Sequence, residues 1–168
     1  VDTASLHCEK SVAELINLSK CIPDCIALTV EMTEHSNYVS DGELAATIIK
    51  LRNASISIAV DDFGTGGNNL ELIFDYKFDY IKIDKKFVNK VNPNQFSQPL
   101  LESIIEIGKK EGVKLIAEGV ETEHQKNWFV NKDVDYIQGY FFSRPLSPEA
   151  LVKFMSDFYV AQPSSASA

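Results

Sequence analysis

Apolar runs of strand length alternate with stretches of 3.6-residue periodicity from one end of the chain to the other. The short runs predict strands at about Ile26–Glu31, Ile56–Asp61, Tyr80–Ile83, Val113–Glu118 and Tyr136–Gln138, with a weaker one at Val1–Leu6. The longer periodicity predicts helices at about Glu9–Lys20, Asp41–Asn53, Asn69–Tyr76, Pro99–Glu111, Glu123–Asn131 and Pro148–Tyr159. Ser40-Asp41 and Ser147-Pro148-Glu149 read as helix starts, and Gly112 as a C-terminal cap.

Strands that are apolar on both faces and alternate with helices make a parallel sheet covered by helices. Two architectures share that description, the open doubly wound sheet and the (β/α)8 barrel. Polar residues close nearly every strand: Glu31 and Glu34, Asp61 and Asp62, Lys82 and Asp84, Glu118 and Glu121, and Gln138. A barrel points all those ends at one mouth, whereas an open sheet gathers only a few at its switch point. The expectation is an α/β modified TIM (β/α)8 barrel, incomplete, with about six of the eight strands. The domain is expected over residues 1–160, with a small, polar, disordered tail over 161–168.

At 168 residues the chain is about one domain by length. No apolar run approaches the ~18 residues of a membrane span, and no secretory signal is evident. The net charge of −8 argues against non-specific nucleic-acid binding, which needs a basic face. A bound cation could still invert the local charge for a phosphate ester. Cys8, Cys21 and Cys25 are read as reduced, locally packed thiols of a cytoplasmic protein; a membrane tether through segments upstream is left open.

The densest chemistry is Asp61-Asp62-Phe63-Gly64-Thr65-Gly66, two adjacent carboxylates where a strand gives way to a glycine-rich turn. Two like charges held side by side are costly unless a cation lies between them. With Glu31 and Glu118 they form an all-oxygen donor set, which suits Mg2+ or Mn2+ better than zinc. His7, His35 and His124 have no partner at ligand spacing and read as surface or packing residues. Lys82 interrupts an apolar strand. It is either an edge lysine reaching solvent or an ammonium aimed into the mouth, and the carboxylates on neighbouring strands favour the second. Glu121 and Glu123 also suit the first turn of a helix, where its dipole favours acids, whereas Glu118 still belongs to the strand. The turn Gly64-Thr65-Gly66-Gly67 lacks the lysine and spacing of a P-loop.

Six segments in order resemble the EAL-domain family of bacterial cyclic di-GMP phosphodiesterases. They are Glu31-Met32-Thr33-Glu34, Asp61-Asp62-Phe63-Gly64-Thr65-Gly66, Lys82-Ile83-Asp84, Ala117-Glu118-Gly119-Val120-Glu121-Thr122, Gln138-Gly139-Tyr140 and Phe142-Ser143-Arg144-Pro145-Leu146. The resemblance covers the C-terminal two-thirds or so of the domain; the E-A-L strand itself is absent. It implies two Mg2+ or Mn2+ ions per site, with Glu31 on one, Asp61 bridging both, and Asp62 and Glu118 on the other. It implies that Lys82 holds the attacking water, that Glu34 and Asp84 position loops, and that Glu121 and Gln138 lie around the substrate. Asp2 is the loose counterpart of a further metal ligand, an asparagine in the family. The implied reaction is two-metal hydrolysis of cyclic di-GMP to linear pGpG. The alternative is a non-catalytic module that binds the nucleotide or a protein partner. A homodimer is expected because a barrel short of two strands exposes two unpaired edges, and an upstream sensory or regulatory domain in the parent protein is left open.

Overall fold

In a computed structural model of the chain, residues 3–23, 26–33, 42–64, 75–92 and 97–161 are described. Five strands form one sheet in the order β1 (Leu28–Thr33), β2 (Ile56–Phe63), β3 (Tyr80–Ile83), β4 (Lys114–Ala117) and β5 (Tyr136–Ile137). Every pair is parallel and neighbours follow chain order. A doubly wound sheet reverses its strand order partway; this sheet never does, and a continuous sequential run is what an arc of a barrel requires.

The helices are α1 (Thr3–His7), α2 (Glu9–Ser19), α3 (Gly42–Asn53), α4 (Lys85–Val88), α5 (Ser97–Glu111), α6 (Glu123–Asn131) and α7 (Pro148–Ala161). Leu44, Ile48 and Leu51 recur at helical spacing on α3 and are buried, as are Leu101, Ile104 and Ile105 on α5. They join Met32, Ile58, Ile81, Ile83 and Leu115 from the strands in one core. A Cβ on Gly108 would lie 2.7 Å from Leu115 Cδ2, so a side chain there would push α5 off β4. Gly112 ends α5 at φ +69, the expected cap. Ser147 caps α7 by accepting from the Ala150 N–H at 3.3 Å.

Acids below the N-terminal strand ends have a structural use. Asp79 Oδ2 accepts the Ile58 N–H at 2.8 Å and pairs with Arg52, while Asp135 Oδ2 accepts the Leu115 N–H at 2.9 Å. Each carboxylate satisfies a backbone donor of the neighbouring strand and so fixes register at that end of the sheet.

The structure corrects three expectations. The weak strand at Val1–Leu6 is helix from Thr3 to His7, because Leu6 buries beside Val12 and α1 packs on α3 instead of pairing with β1. The short helix α4 was not expected, since four residues are too few for periodicity to register. Cys8 and Cys21 are free but exposed rather than packed, and Cys25 lies outside the described residues. So do Asp2, Glu34, His35, the turn beyond Gly64, most of the helix expected at Asn69–Tyr76, and the tail over 162–168.

Candidate metal centre

Lys82 is the buried charge around which the strand ends are arranged. Ile81 and Ile83 flank it on an alternating strand and are fully buried on the core side, which turns the Lys82 stem to the other face. The residue is 5% exposed. Its Nζ lies 2.8 Å from Glu31 Oε1, 3.0 Å from Asp61 Oδ1 and 2.8 Å from Glu118 Oε1. Those acids come from β1, β2 and the end of β4, so three strands converge on one ammonium. Burial opposes its charge, but hydrogen bonds to Glu118, Glu31 and Asp61 outweigh that and hold the ammonium's pKa above its ordinary value.

Adjacent residues on a regular strand point to opposite faces, so Asp61 and Asp62 should not share a site. A register shift between Val60 and Phe63 resolves this. Asp62 takes φ +56, a left-handed conformation that aspartate tolerates better than most residues, and its N–H donates to Asp61 Oδ1 at 3.0 Å. The bulge gathers both carboxylates with Glu118, and one oxygen from each lies within 4.8 Å of the other two.

Asp84 completes the cluster from β3. It is buried, caps α4 by accepting from the Lys86 N–H, and shares a hydrogen bond with Asp62. That hydrogen bond, then burial and the charge of Asp61, raise the Asp62 pKa. Burial raises that of Glu118 despite the nearby Lys82. Glu31, Asp61 and Glu118 thus surround a single ammonium with Asp62 and Asp84 linked beside Asp61, and Asp62 and Glu118 take up protons more readily than ordinary carboxyls. A donor set of oxygens with surplus negative charge fits hard divalent cations.

Glu121 and Gln138 are exposed and lie outside that cluster. Glu121 pairs with Lys85, which sequence reasoning missed because a lysine at the start of a four-residue helix looks like solvated charge. Gly119, at φ +68, leaves room for the Lys85 methylenes to cross; a Cβ there would lie 2.6 Å from Lys85 Cγ. Thr122 and Gln125 form a capping box at the start of α6, so Glu121 stands before the helix and Glu123 in its first turn. The Gln138 backbone binds the loop after β4, its N–H donating to Ala117 O at 2.8 Å and its O accepting from Val120 N at 3.1 Å. His7 approaches Glu43 at 3.7 Å, and His124 is exposed at the surface.

Comparison with known proteins places this geometry in context. The family profile of the EAL domain matches residues 1–145. Cyclic di-GMP phosphodiesterase PdeL of Escherichia coli K12 is 35% identical over 150 residues, covering 89% of this chain and 40% of PdeL. The crystal structure of the EAL domain of Mycobacterium smegmatis DcpA superposes with a TM-score of 0.81 at 26% identity, covering 89% of this chain and 67% of that one. Klebsiella pneumoniae BlrP1, solved as a complex with manganese and cyclic di-GMP, superposes at 0.72 with 27% identity, covering 84% and 36%. The chain therefore spans less than half the length of PdeL and BlrP1.

Proposed function

This chain belongs to the EAL-domain family, and from that premise we propose that its carboxylate mouth hydrolyses cyclic di-GMP to linear pGpG. The observation that carries the reading is the convergence of Glu31, Asp61 and Glu118 on Lys82, with Asp62 turned into the same site by the bulge. The manganese and cyclic di-GMP complex of BlrP1 supports it.

Glu31, Asp61, Asp62 and Glu118 would hold two Mg2+ or Mn2+ ions. Bound there, divalent cations would polarise a phosphodiester and lower the pKa of water. Water attacks phosphorus in line, the P–O3′ bond breaks, and the products carry a 5′-phosphate and a 3′-hydroxyl. Lys82, protonated and fixed by three acceptors, acts as a hydrogen-bond donor that orients the attacking water or offsets charge on the phosphoryl oxygens. Glu118, 2.8 Å from Lys82 and grouped with Asp61 and Asp62, would help hold the cation that activates the water and keep Lys82 in place beside it. Asp84 holds Asp62 and the start of α4 in place. Among the described residues no helix is long and apolar enough to cross a membrane. We assign the activity to the cytoplasm and to a homodimer.

The test is incubation of the purified chain with cyclic di-GMP and Mg2+ or Mn2+, with products separated by chromatography and Glu118→Gln as control. Appearance of pGpG, lost in the control, is the expected result. Nucleotide binding without product would make this polypeptide a receptor-like module instead.

A further inference from the structure

The chain contains two arginines, Arg52 and Arg144. Arg52 is structural: it pairs with Asp79 and donates to the carbonyls of Tyr76 and Lys77 beneath the sheet. Arg144 stands beyond the C-terminal end of β5, on the mouth side of the sheet. Its guanidinium carbon lies 4.9 Å from the centre of the Tyr140 ring, which is 52% exposed. Lys85 approaches the same ring at 5.8 Å, but its charge is matched by Glu121. Among the described residues no carboxylate pairs with Arg144. In a protein of net charge −8, it is a planar cation over an exposed ring with no acidic partner among the described residues.

The pair stands on a firm base. A Cβ on Gly139 would lie 2.1 Å from Val120 O and 2.3 Å from Val120 N, so the two backbones touch. Val120 N donates to Gln138 O at 3.1 Å and Phe141 N to Val120 O at 2.9 Å. The segment bearing Tyr140 is thereby clasped to the loop that follows Glu118, which fixes the rim relative to the carboxylates.

We propose that Arg144, laid over Tyr140, is a specificity residue that reads a guanine base of the substrate. This rests on the cyclic di-GMP reading above and names which side chain would choose the base. The scissile phosphodiester belongs at the carboxylates and Lys82, so a base attached to it falls toward the rim. A guanidinium presents two parallel donors that match guanine O6 and N7, whereas adenine offers a donor in place of O6. An exposed tyrosine beside it supplies a face on which a base stacks. Lysine is a point charge and cannot reproduce the paired donors.

The experiment compares the full chain with Arg144→Ala, Arg144→Lys and Tyr140→Leu. It measures kcat/KM with Mn2+ on cyclic di-GMP, cyclic di-AMP and bis(p-nitrophenyl) phosphate, and cyclic di-GMP affinity by calorimetry in EDTA. Arg144→Ala is expected to lower kcat/KM on cyclic di-GMP roughly five- to a hundredfold, mainly through KM, the range of one bidentate base contact. The preference for cyclic di-GMP over cyclic di-AMP falls by a similar factor, and Arg144→Lys does not restore it. Equal losses on all three substrates would overturn the proposal in favour of a phosphate contact. An unchanged preference in Arg144→Ala would also overturn it. If the wild-type chain binds but does not turn over, the ratio of affinities for the two dinucleotides decides in the same way. A wild-type chain that neither binds nor cleaves cyclic di-GMP overturns the proposed function itself, and this inference with it.

Discussion

Replacing Lys82 with methionine tests the electrostatic logic of the centre. Methionine keeps much of the stem volume and removes the ammonium from Glu31, Asp61 and Glu118, each within 3.0 Å of it. Removing one partner of a buried ion pair costs about 3–5 kcal/mol, because the other charge stays buried and uncompensated. Here the acids are only partly buried, with side-chain exposures of 48%, 21% and 19%, so water relieves part of that penalty. The expected loss in EDTA is about 2–4 kcal/mol, or roughly 5–15 °C in Tm for a chain of this length. Divalent metal should reverse much of it, since a cation bound only by the folded state stabilises by RT ln(1 + [L]/Kd). The variant has one positive charge fewer, so it should bind Mn2+ more tightly than wild type while losing phosphodiesterase activity. Urea denaturation with and without Mn2+ measures both quantities. A variant as stable as wild type in EDTA, or one whose loss Mn2+ leaves unchanged, would refute the reasoning.

Further expectations follow from individual residues. Asp62→Asn keeps a residue that tolerates φ +56 and removes a charge; Asp62→Val should cost about 1–3 kcal/mol more, as judged by thermal melting. The folded-state pKa of Asp62 is raised, so in EDTA its protonated form favours folding and that contribution fades as pH climbs from the ordinary carboxylate range through the folded value. Asp62→Asn should flatten this part of the stability–pH profile; a slope equal to wild type would contradict the assignment. Gly112→Ala, with open space but φ +69, should cost about 1–2 kcal/mol by urea titration. Gly139→Ala, against Val120 backbone, should cost clearly more in the same measurement. Gln125→Ala removes the acceptor for the Glu121 and Thr122 N–H groups and a donor to Val88 O, and should destabilise by about 1–3 kcal/mol without altering metal affinity.

The strands that carry the site were legible because buried parallel strands are written as apolar runs, and a charged residue closing such a run is conspicuous. That reasoning located Glu31, Asp61, Lys82 and Glu118 before any geometry, and the register of the sheet brings them together. The bulge at Asp61-Asp62 left no trace beyond the doubled aspartate and the following glycine, because a left-handed residue is chosen by tertiary contacts. The Lys85–Glu121 pair joins residues far apart in sequence, which no local pattern encodes. Helix α1 was missed since its identity depends on Leu6 finding α3. Likewise, the acids beneath the sheet, Asp79 and Asp135, look like those above it in sequence; only the direction of the strands separates register pins from candidate ligands.

The triple engagement of Lys82 also bears on how the chain acquires its structure. A nascent chain emerging from the ribosome presents β1 first and β4 well after β3. Until β4 arrives, an ammonium destined for burial has only part of its compensation, and a sheet closed early would trap it in a poorly solvated setting. Partly assembled states are thereby penalised relative to the finished one, and strand docking becomes more nearly all-or-none. Until the strand leading to Glu118 is in place, Lys82 lacks one of its three acceptors, so the finished sheet is favoured over its partly docked forms.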